Sequence, residues 1–288
     1  MAMANFDLHL HTHWSYDAFS AVEDYFRLAR EKKTRAIAIT DHHLMDGYGD
    51  VLDCAGKYPD VGYIAGSEIT VNCDFGAIDL VCLNLPRQPE GELFEMFEIY
   101  RSWQVAYGRA ISENMCRLGY AFDDAARLKL LQSYRPAAAV AKQGNTHVRY
   151  GTLADYCAAN GITDDYRTFR MQFQDMPLYP DFEKVVSVVK AAGGVIFIAH
   201  PYGYFLGNDR KRMDALREML QLDGIECAHP GVPAEMTPVY RAYCEEYGLL
   251  SSGSSDLHSP DADTFAANCA PDFWLDEILE RVTLYHGI

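Results

Sequence analysis

Five of the ten histidines, with aspartates and a glutamate, fall in short segments that read as the ends of β-strands. The segments are Asp7-Leu8-His9-Leu10-His11, Thr40-Asp41-His42, Gly66-Ser67-Glu68, Ala199-His200-Pro201 and Ser255-Asp256-Leu257-His258. Imidazole and carboxylate are ligands that suit divalent Mn, Fe or Zn. Side chains alternate along a strand, so His9 and His11, at i and i+2, point to one side and can grip one ion; Asp256 and His258 repeat that spacing. A single such pair is weak evidence, because buried histidines are commonly satisfied by hydrogen bonds. Five clusters in one chain predict a metal site. Two or three ions together lower the pKa of a bound water to about 7 and clamp the attacking and leaving oxygens of a displacement, which is hydrolytic chemistry.

Segments this far apart can meet only if the fold gathers strand ends on one face. Apolar β-rich runs recur at 6–11, 35–41, 62–70, 77–83, 195–200, 224–227 and 249–254, with helix-like stretches between them such as Val22 to Lys33. That alternation predicts parallel βαβ units, and seven strands suggest a barrel whose site lies at the C-terminal strand ends. The rhythm breaks between 86 and 180, where amphipathic patterns at 90–118, 124–133, 153–160 and 165–174 leave no convincing strand. The division expected is a barrel of residues 1–85 and 181–288 with a helical insertion, or cap, over 86–180. The insertion carries cations and rings, among them Arg135, His147, Arg149 and Tyr150, that could line a substrate pocket.

The 288 residues are 49% hydrophobic and 23% charged, which is enough apolar surface for a full core and too much for a disordered chain. A net charge of −16 argues against a broad surface for extended nucleic acid. No run of 18 apolar residues is present, so no membrane span is expected, and the first residues lack the basic and apolar regions of a secretory signal. Eight scattered cysteines without a CxxC pair read as buried thiols of a reduced, cytoplasmic environment.

The clusters resemble the polymerase-and-histidinol-phosphatase (PHP) family of metal-dependent phosphoesterases. The motifs are DLHLHT at 7–12 with Ser15 and Asp17 following, AIAITDHHLMDG at 36–47, IAGSEIT at 64–70, AAGGVIFIAHP at 191–201 and SGSSDLHSP at 252–260. They occur in family order along nearly the whole chain, and Leu222 to Glu226 with His229-Pro230 looks like a further family segment. The resemblance implies an α/β fold, a distorted (β/α)7 TIM-like barrel of the PHP type with a helical insertion, in agreement with the strand count. It implies two to three divalent ions: one on His9, His11, Glu68 and Asp256, a second on Glu68 as a bridge and His200, a third on Asp17, His42 and His258. Many members place a histidine on the strand after the Glu68 motif, where this chain has Asp79; Asp79 or His147 is the candidate to complete the second ion. The eight-residue spacing from His9 to Asp17 looks closer to the histidinol-phosphatase branch.

Smaller roles follow. Asp41 is expected to orient His42 or a neighbour through a hydrogen bond. Arg135, Arg149 and His229 are candidates to touch substrate, with His229 or a metal-bound water protonating the leaving alkoxide. His13 and His43 have substrate or surface roles, and His286 is structural or exposed. The activity implied is hydrolysis of a small-molecule phosphate monoester, of nucleotide, sugar or histidinol phosphate type, by metal-activated hydroxide and without a phosphoenzyme. The alternatives are a phosphodiesterase or 3′–5′ exonuclease on oligonucleotides, an amidohydrolase, or a non-catalytic metal-binding module. The acidic net charge is compatible with an anionic substrate only if the metals attract it: three divalent ions carry +6 against −3 from Asp17, Glu68 and Asp256.

Overall fold

The computed structural model describes residues 5–268 and 270–287. All seven candidate runs form strands of one sheet, ordered as in the chain: β1 (Phe6–Leu10), β2 (Ala36–Ile39), β3 (Tyr63–Cys73), β4 (Gly76–Leu83), β5 (Val195–Ile198), β6 (Gly224–Ala228) and β7 (Leu250–Gly253). The sheet curls until its edges meet just past β7, where Leu257 bridges Leu10 and the Asp256 N–H donates to the His9 carbonyl at 3.0 Å. The result is an α/β, nearly closed, seven-stranded barrel. Eleven α-helices accompany it among the described residues.

One strand corrects the expectation of uniformly parallel pairing. β4 runs antiparallel to both β3 and β5, because only Asp74 and Phe75 separate it from β3 and a parallel return needs a crossover of a dozen residues or more. This reversal brings the first half of β4 to the mouth of the barrel, with Asp79 paired to Thr70.

The helices follow their apolar periodicity. α1 (Val22–Lys32) buries Val22, Tyr25, Phe26, Leu28 and Ala29, and stops where Lys33 turns left-handed at φ 56°. α2 (Tyr48–Lys57) packs beside it. Between β4 and α8 (Phe182–Ala191) come α3 (Gly91–Arg117), α4 (Asp124–Gln132), α5 (Ala137–Gln143), α6 (Tyr150–Ala159) and α7 (Tyr166–Phe169), with no strand among the described residues. The short α5 had no periodic signal of its own. α3 serves two cores: Leu93, Met96, Phe97 and Tyr100 join the barrel's, whereas Ile111 and Met115 pack with Phe122, Leu131, Leu153 and Tyr166. Each such side chain contributes roughly 1.5–3 kcal/mol on burial, so this second cluster gives the helical segment an apolar core of its own.

Polar ties fix that segment over the mouth. Arg101 donates to both carboxylate oxygens of Asp46 at 2.7 and 2.8 Å, the Tyr134 hydroxyl donates to the Tyr16 carbonyl at 2.8 Å, and the Tyr100 hydroxyl to the Thr70 carbonyl at 2.7 Å. α9 (Arg210–Met219), α10 (Thr237–Tyr247) and α11 (Asp272–Leu279) complete the outer layer. Seven described cysteines are free thiols. Cys116 is exposed and Cys73 half-buried, which corrects the expectation that all are buried; Cys269 lies outside the described residues. No helix among the described residues is long and apolar enough to cross a membrane.

Candidate metal centre

Glu68, on β3 and 1% exposed, is the hub of the barrel mouth. Its Oε2 lies 3.2 Å from His9 Nε2, 3.3 Å from His11 Nε2 and 2.9 Å from His42 Nδ1, and its Oε1 lies 3.1 Å from His200 Nε2. Asp256 Oδ1 stands 3.5 Å from His9 Nε2 and 3.2 Å from His11 Nε2. Asp17 Oδ2 reaches His42 Nε2 at 3.3 Å and His258 Nε2 at 3.4 Å. The fold thus brings all eight residues of the implied ligand set into one contiguous cluster. His200 and Asp256 take left-handed backbone angles, φ 30° and 53°, where His and Asp are more often found than bulkier residues.

The two candidates for the remaining ligand part company. Asp79 groups with Glu68 and His200 within 4.8 Å, its Oδ2 lying 3.7 Å from His200 Nε2 while it accepts from the Tyr204 hydroxyl. His147 belongs to none of the metal-competent groups among the described residues. Its ring packs on Tyr16 at 3.9 Å between centroids, and Tyr16 in turn stacks on His42 at 5.2 Å. Burial pushes the His147 imidazole down to about 3, so the ring is neutral.

The donor atoms fit divalent ions. His9 Nε2, His11 Nε2, His42 Nδ1, Asp17 Oδ1 and Asp256 Oδ1 are buried and accept or donate no hydrogen bond within the described residues. A buried polar atom left so costs about 1–3 kcal/mol, and five of them, imidazole and carboxylate, converge here. A cation matches every one.

Other carboxylates aim these ligands. Glu226, on β6, faces His9 Nδ1 at 3.1 Å and accepts from the His200 N–H at 2.6 Å and from the Ser254 hydroxyl. Accepting at Nδ1 fixes the proton there and leaves Nε2 free as a ligand. Burial by itself would raise the Glu226 carboxyl, but the His229 and His9 imidazoles hold it at about 2. At Glu68, burial is likewise outweighed, by His9 and His42, and its carboxyl sits well below the usual range. The sequence reading noted the Glu226 segment without giving the residue a role; its one signal was a lone carboxylate inside an apolar strand. Asp41 does not meet the His42 ring. It accepts from the Thr12 N–H at 2.6 Å and the Ser15 hydroxyl at 3.0 Å, and Ser15 Oγ meets His11 Nδ1 at 3.1 Å, so its influence passes through Ser15 to His11. Asp7 accepts from the Ser255 N–H and the Ala266 N–H, both at 2.9 Å, and so holds the loop that carries Asp256; burial pushes its carboxyl up to about 6.

Residues considered for substrate are scattered around this cluster. His229 Nε2 lies 3.4 Å from Asp256 Oδ2, at the cluster's edge. The buried Arg135 donates to the His13 and Trp14 carbonyls at 3.4 and 3.0 Å and to Gln143 Oε1 at 2.5 Å, which commits its guanidinium to holding that loop. Arg149 lies 4.9 Å over the Phe19 ring and has no ion pair among the described residues. His43 is fully buried between Thr70 and Gln104, contrary to a surface role. His13 lies 3.8 Å from Asp50, and His286 is exposed.

Residues 7–132, spanning His9 to Asp79, match the PHP domain. The chain carries a PHP domain over these residues. It is 26% identical over 275 residues to the 3′,5′-nucleoside bisphosphate phosphatase of Chromobacterium violaceum, covering 90% of this chain and 88% of that one. It is 23% identical over 263 residues to the 5′-3′ exoribonuclease of Haemophilus influenzae, covering 88% and 90%. Among solved structures, a Bifidobacterium adolescentis protein assigned as a metal-dependent phosphoesterase superposes with a TM-score of 0.73 at 23% identity, over 96% of both chains. A Chromobacterium violaceum amidohydrolase holding sulfate and no metal does so with a TM-score of 0.75 at 20% identity, over 98% of both. These two likenesses concern the fold. The PHP protein is a hydrolase acting on phosphate esters, of a metal-dependent family.

Proposed function

We propose that this PHP protein hydrolyses a small-molecule phosphate monoester. The observation that carries the reading is the convergence of buried, unpartnered imidazole and carboxylate atoms on Glu68. His9, His11, Asp17, His42, Glu68, His200, Asp256 and His258 would hold two to three divalent ions, with Asp79 completing the set at His200. Bound there, the ions supply Lewis acidity for activating water and stabilising phosphoryl charge. The chain's own residues prepare that site. Glu226 keeps a proton on His9 Nδ1, and Asp41 orders Ser15 beneath His11. His229 Nε2, at the edge of the cluster beside Asp256, would give a proton to the leaving alkoxide. Arg149, with no acidic partner among the described residues, would meet the substrate's charge, and residues 86–180 would act as a cap that excludes bulky diesters. The likeness to a nucleoside bisphosphate phosphatase supports a monoester.

A second reading, exonucleolytic cleavage of an oligonucleotide, is favoured by a different observation. Phe19 and Tyr150 are exposed rings, each under a guanidinium, Arg149 at 4.9 Å and Arg170 at 5.5 Å. Such pairs suit single-stranded bases and phosphates. The likeness to an exoribonuclease points the same way. Manganese-loaded protein assayed on p-nitrophenyl phosphate, bis-p-nitrophenyl phosphate and a short 5′-phosphorylated oligoribonucleotide separates the two. The first should be cleaved best among the three; faster shortening of the oligoribonucleotide would replace the first reading by the second.

A further inference from the structure

Tyr16 belongs to two regions at once. Its ring stacks on His42, and it also lines a cavity of about 250 Å³ whose other walls include Tyr107, His147, Tyr150 and Tyr179. The wall is built with care by the helical segment. Trp103 stacks on Tyr179 at 4.2 Å and meets His147 edge-on at 5.6 Å, and Tyr107 meets His147 edge-on at 5.2 Å. Gly108 lets α3 touch the main chain before His147: a Cβ there would fall 2.6 Å from the Thr146 carbonyl oxygen. Arg127, almost fully buried, ties the Gly108 carbonyl at 2.6 Å to that of Asn145 at 3.2 Å, locking the same contact. His147 Nδ1 has no hydrogen-bond partner among the described residues.

Phenol and imidazole rings around a small space offer flat π-faces with polar edges. A planar ring stacks on such faces, a contact worth about 1–3 kcal/mol per base. An apolar cavity of roughly 150 Å³ is enough for benzene, so the space here admits a larger planar heterocycle. Its shared wall, Tyr16, puts that ring next to the metal centre, close enough for one molecule to reach both.

Resting on the phosphatase reading above, we propose that this cavity is the leaving-group subsite and takes a planar heteroaromatic ring, a nucleobase joined through its sugar to the phosphate at the metal centre. The substrate class is therefore a nucleotide rather than a phosphate whose leaving group has no planar ring. The test compares kcat/KM of the manganese-loaded enzyme for adenosine 3′- and 5′-monophosphate with that for ribose 5-phosphate. The better nucleotide should exceed ribose 5-phosphate by at least about 10-fold, the lower part of what one stacked base contributes. Ile111→Trp, which fills the cavity, should bring the nucleotide value down toward that of ribose 5-phosphate, and Tyr150→Ala, at an exposed position, should do so in part. Adenosine, which has no phosphate, should change Trp103 fluorescence, and the change should vanish in Trp103→Phe. Equal efficiencies for nucleotide and ribose phosphate, or no response to adenosine, would overturn the subsite and leave the phosphatase reading intact. A Trp103 response to adenosine with no hydrolysis of either phosphate would support the subsite and overturn the phosphatase reading.

Discussion

The imidazole–carboxylate cluster and the tyrosine-lined cavity share Tyr16, yet they are held in different ways. In the cluster, His9, Glu68 and Asp79 stand on strands, and His11, His42, His200 and Asp256 follow within three residues of strand ends. Most are aimed by hydrogen bonds from another strand or loop, as Glu226 aims His9 and Ser15 meets His11. The cavity is made by α3, α6, α7 and the segments before α6 and α8 together with Tyr16, and its rings are set by packing and by one close backbone approach at Gly108. Ligand geometry tolerates errors of a few tenths of an ångström, and a hydrogen-bonded sheet provides that precision. Ring stacking tolerates more. On the proposed reading the reaction is anchored in the sheet, and recognition is left to helices and loops whose residues can change without moving the sheet.

The sharpest way to break this division is to strike the hub. Glu68→Gln removes charge shared by four imidazoles, and should lower kcat/KM at least about 10²-fold together with bound metal; elemental analysis and initial rates check it, and full activity with full metal would sink the assignment. Glu226→Gln leaves every proposed ligand in place but disturbs the His9 Nδ1 and His200 N–H contacts. Manganese titration should show affinity weakened about 10- to 100-fold, with the adenosine response of Trp103 unchanged if the two regions are independent. Arg135→Ala should act on the seam between them. Its lost bonds to the His13 and Trp14 carbonyls cost about 1–3 kcal/mol, seen as a lower Tm; an unchanged Tm with a raised KM would restore Arg135 as a substrate residue.

The smallest effect is one of pH. His147 has an ordinary value of 6.5 when unfolded and about 3 when buried in the fold. Between those values the unfolded chain binds the extra proton, so its stabilising contribution is complete above pH 6.5 and declines as pH falls toward 3. In chelator-treated protein, Tm should therefore fall more steeply from pH 7 to 5 for the native chain than for His147→Phe. Parallel curves would show that the cavity wall does not depend on a neutral imidazole.

Much of this was legible along the chain. The His9/His11 and Asp256/His258 spacings, the seven strands and the strand-free stretch from 86 to 180 are local patterns, readable because strand and helix periods are properties of adjacent residues. The reversal of β4 had a local cause too, the two-residue turn at Asp74 and Phe75, but the strand's apolar run does not itself say which way it pairs. Glu226 and Arg135 were a different matter. A carboxylate in a buried strand and an arginine after a helix carry no local mark of their partners, which lie 217 residues away at His9 and 121 at Trp14.

By itself, then, the sequence determined the donor chemistry and its order: which imidazoles and carboxylates exist, and that they fall at strand ends, since residue type and strand period are local. Only the tertiary structure decided which of them share a carboxylate, that Glu226 rather than Asp41 orients a proposed ligand directly, that His147 lies behind Tyr16, and that tyrosines from five segments line one cavity. Those are long-range packing outcomes, in which contacts depend on how distant helices and strands settle against one another and not on the spacing of neighbours.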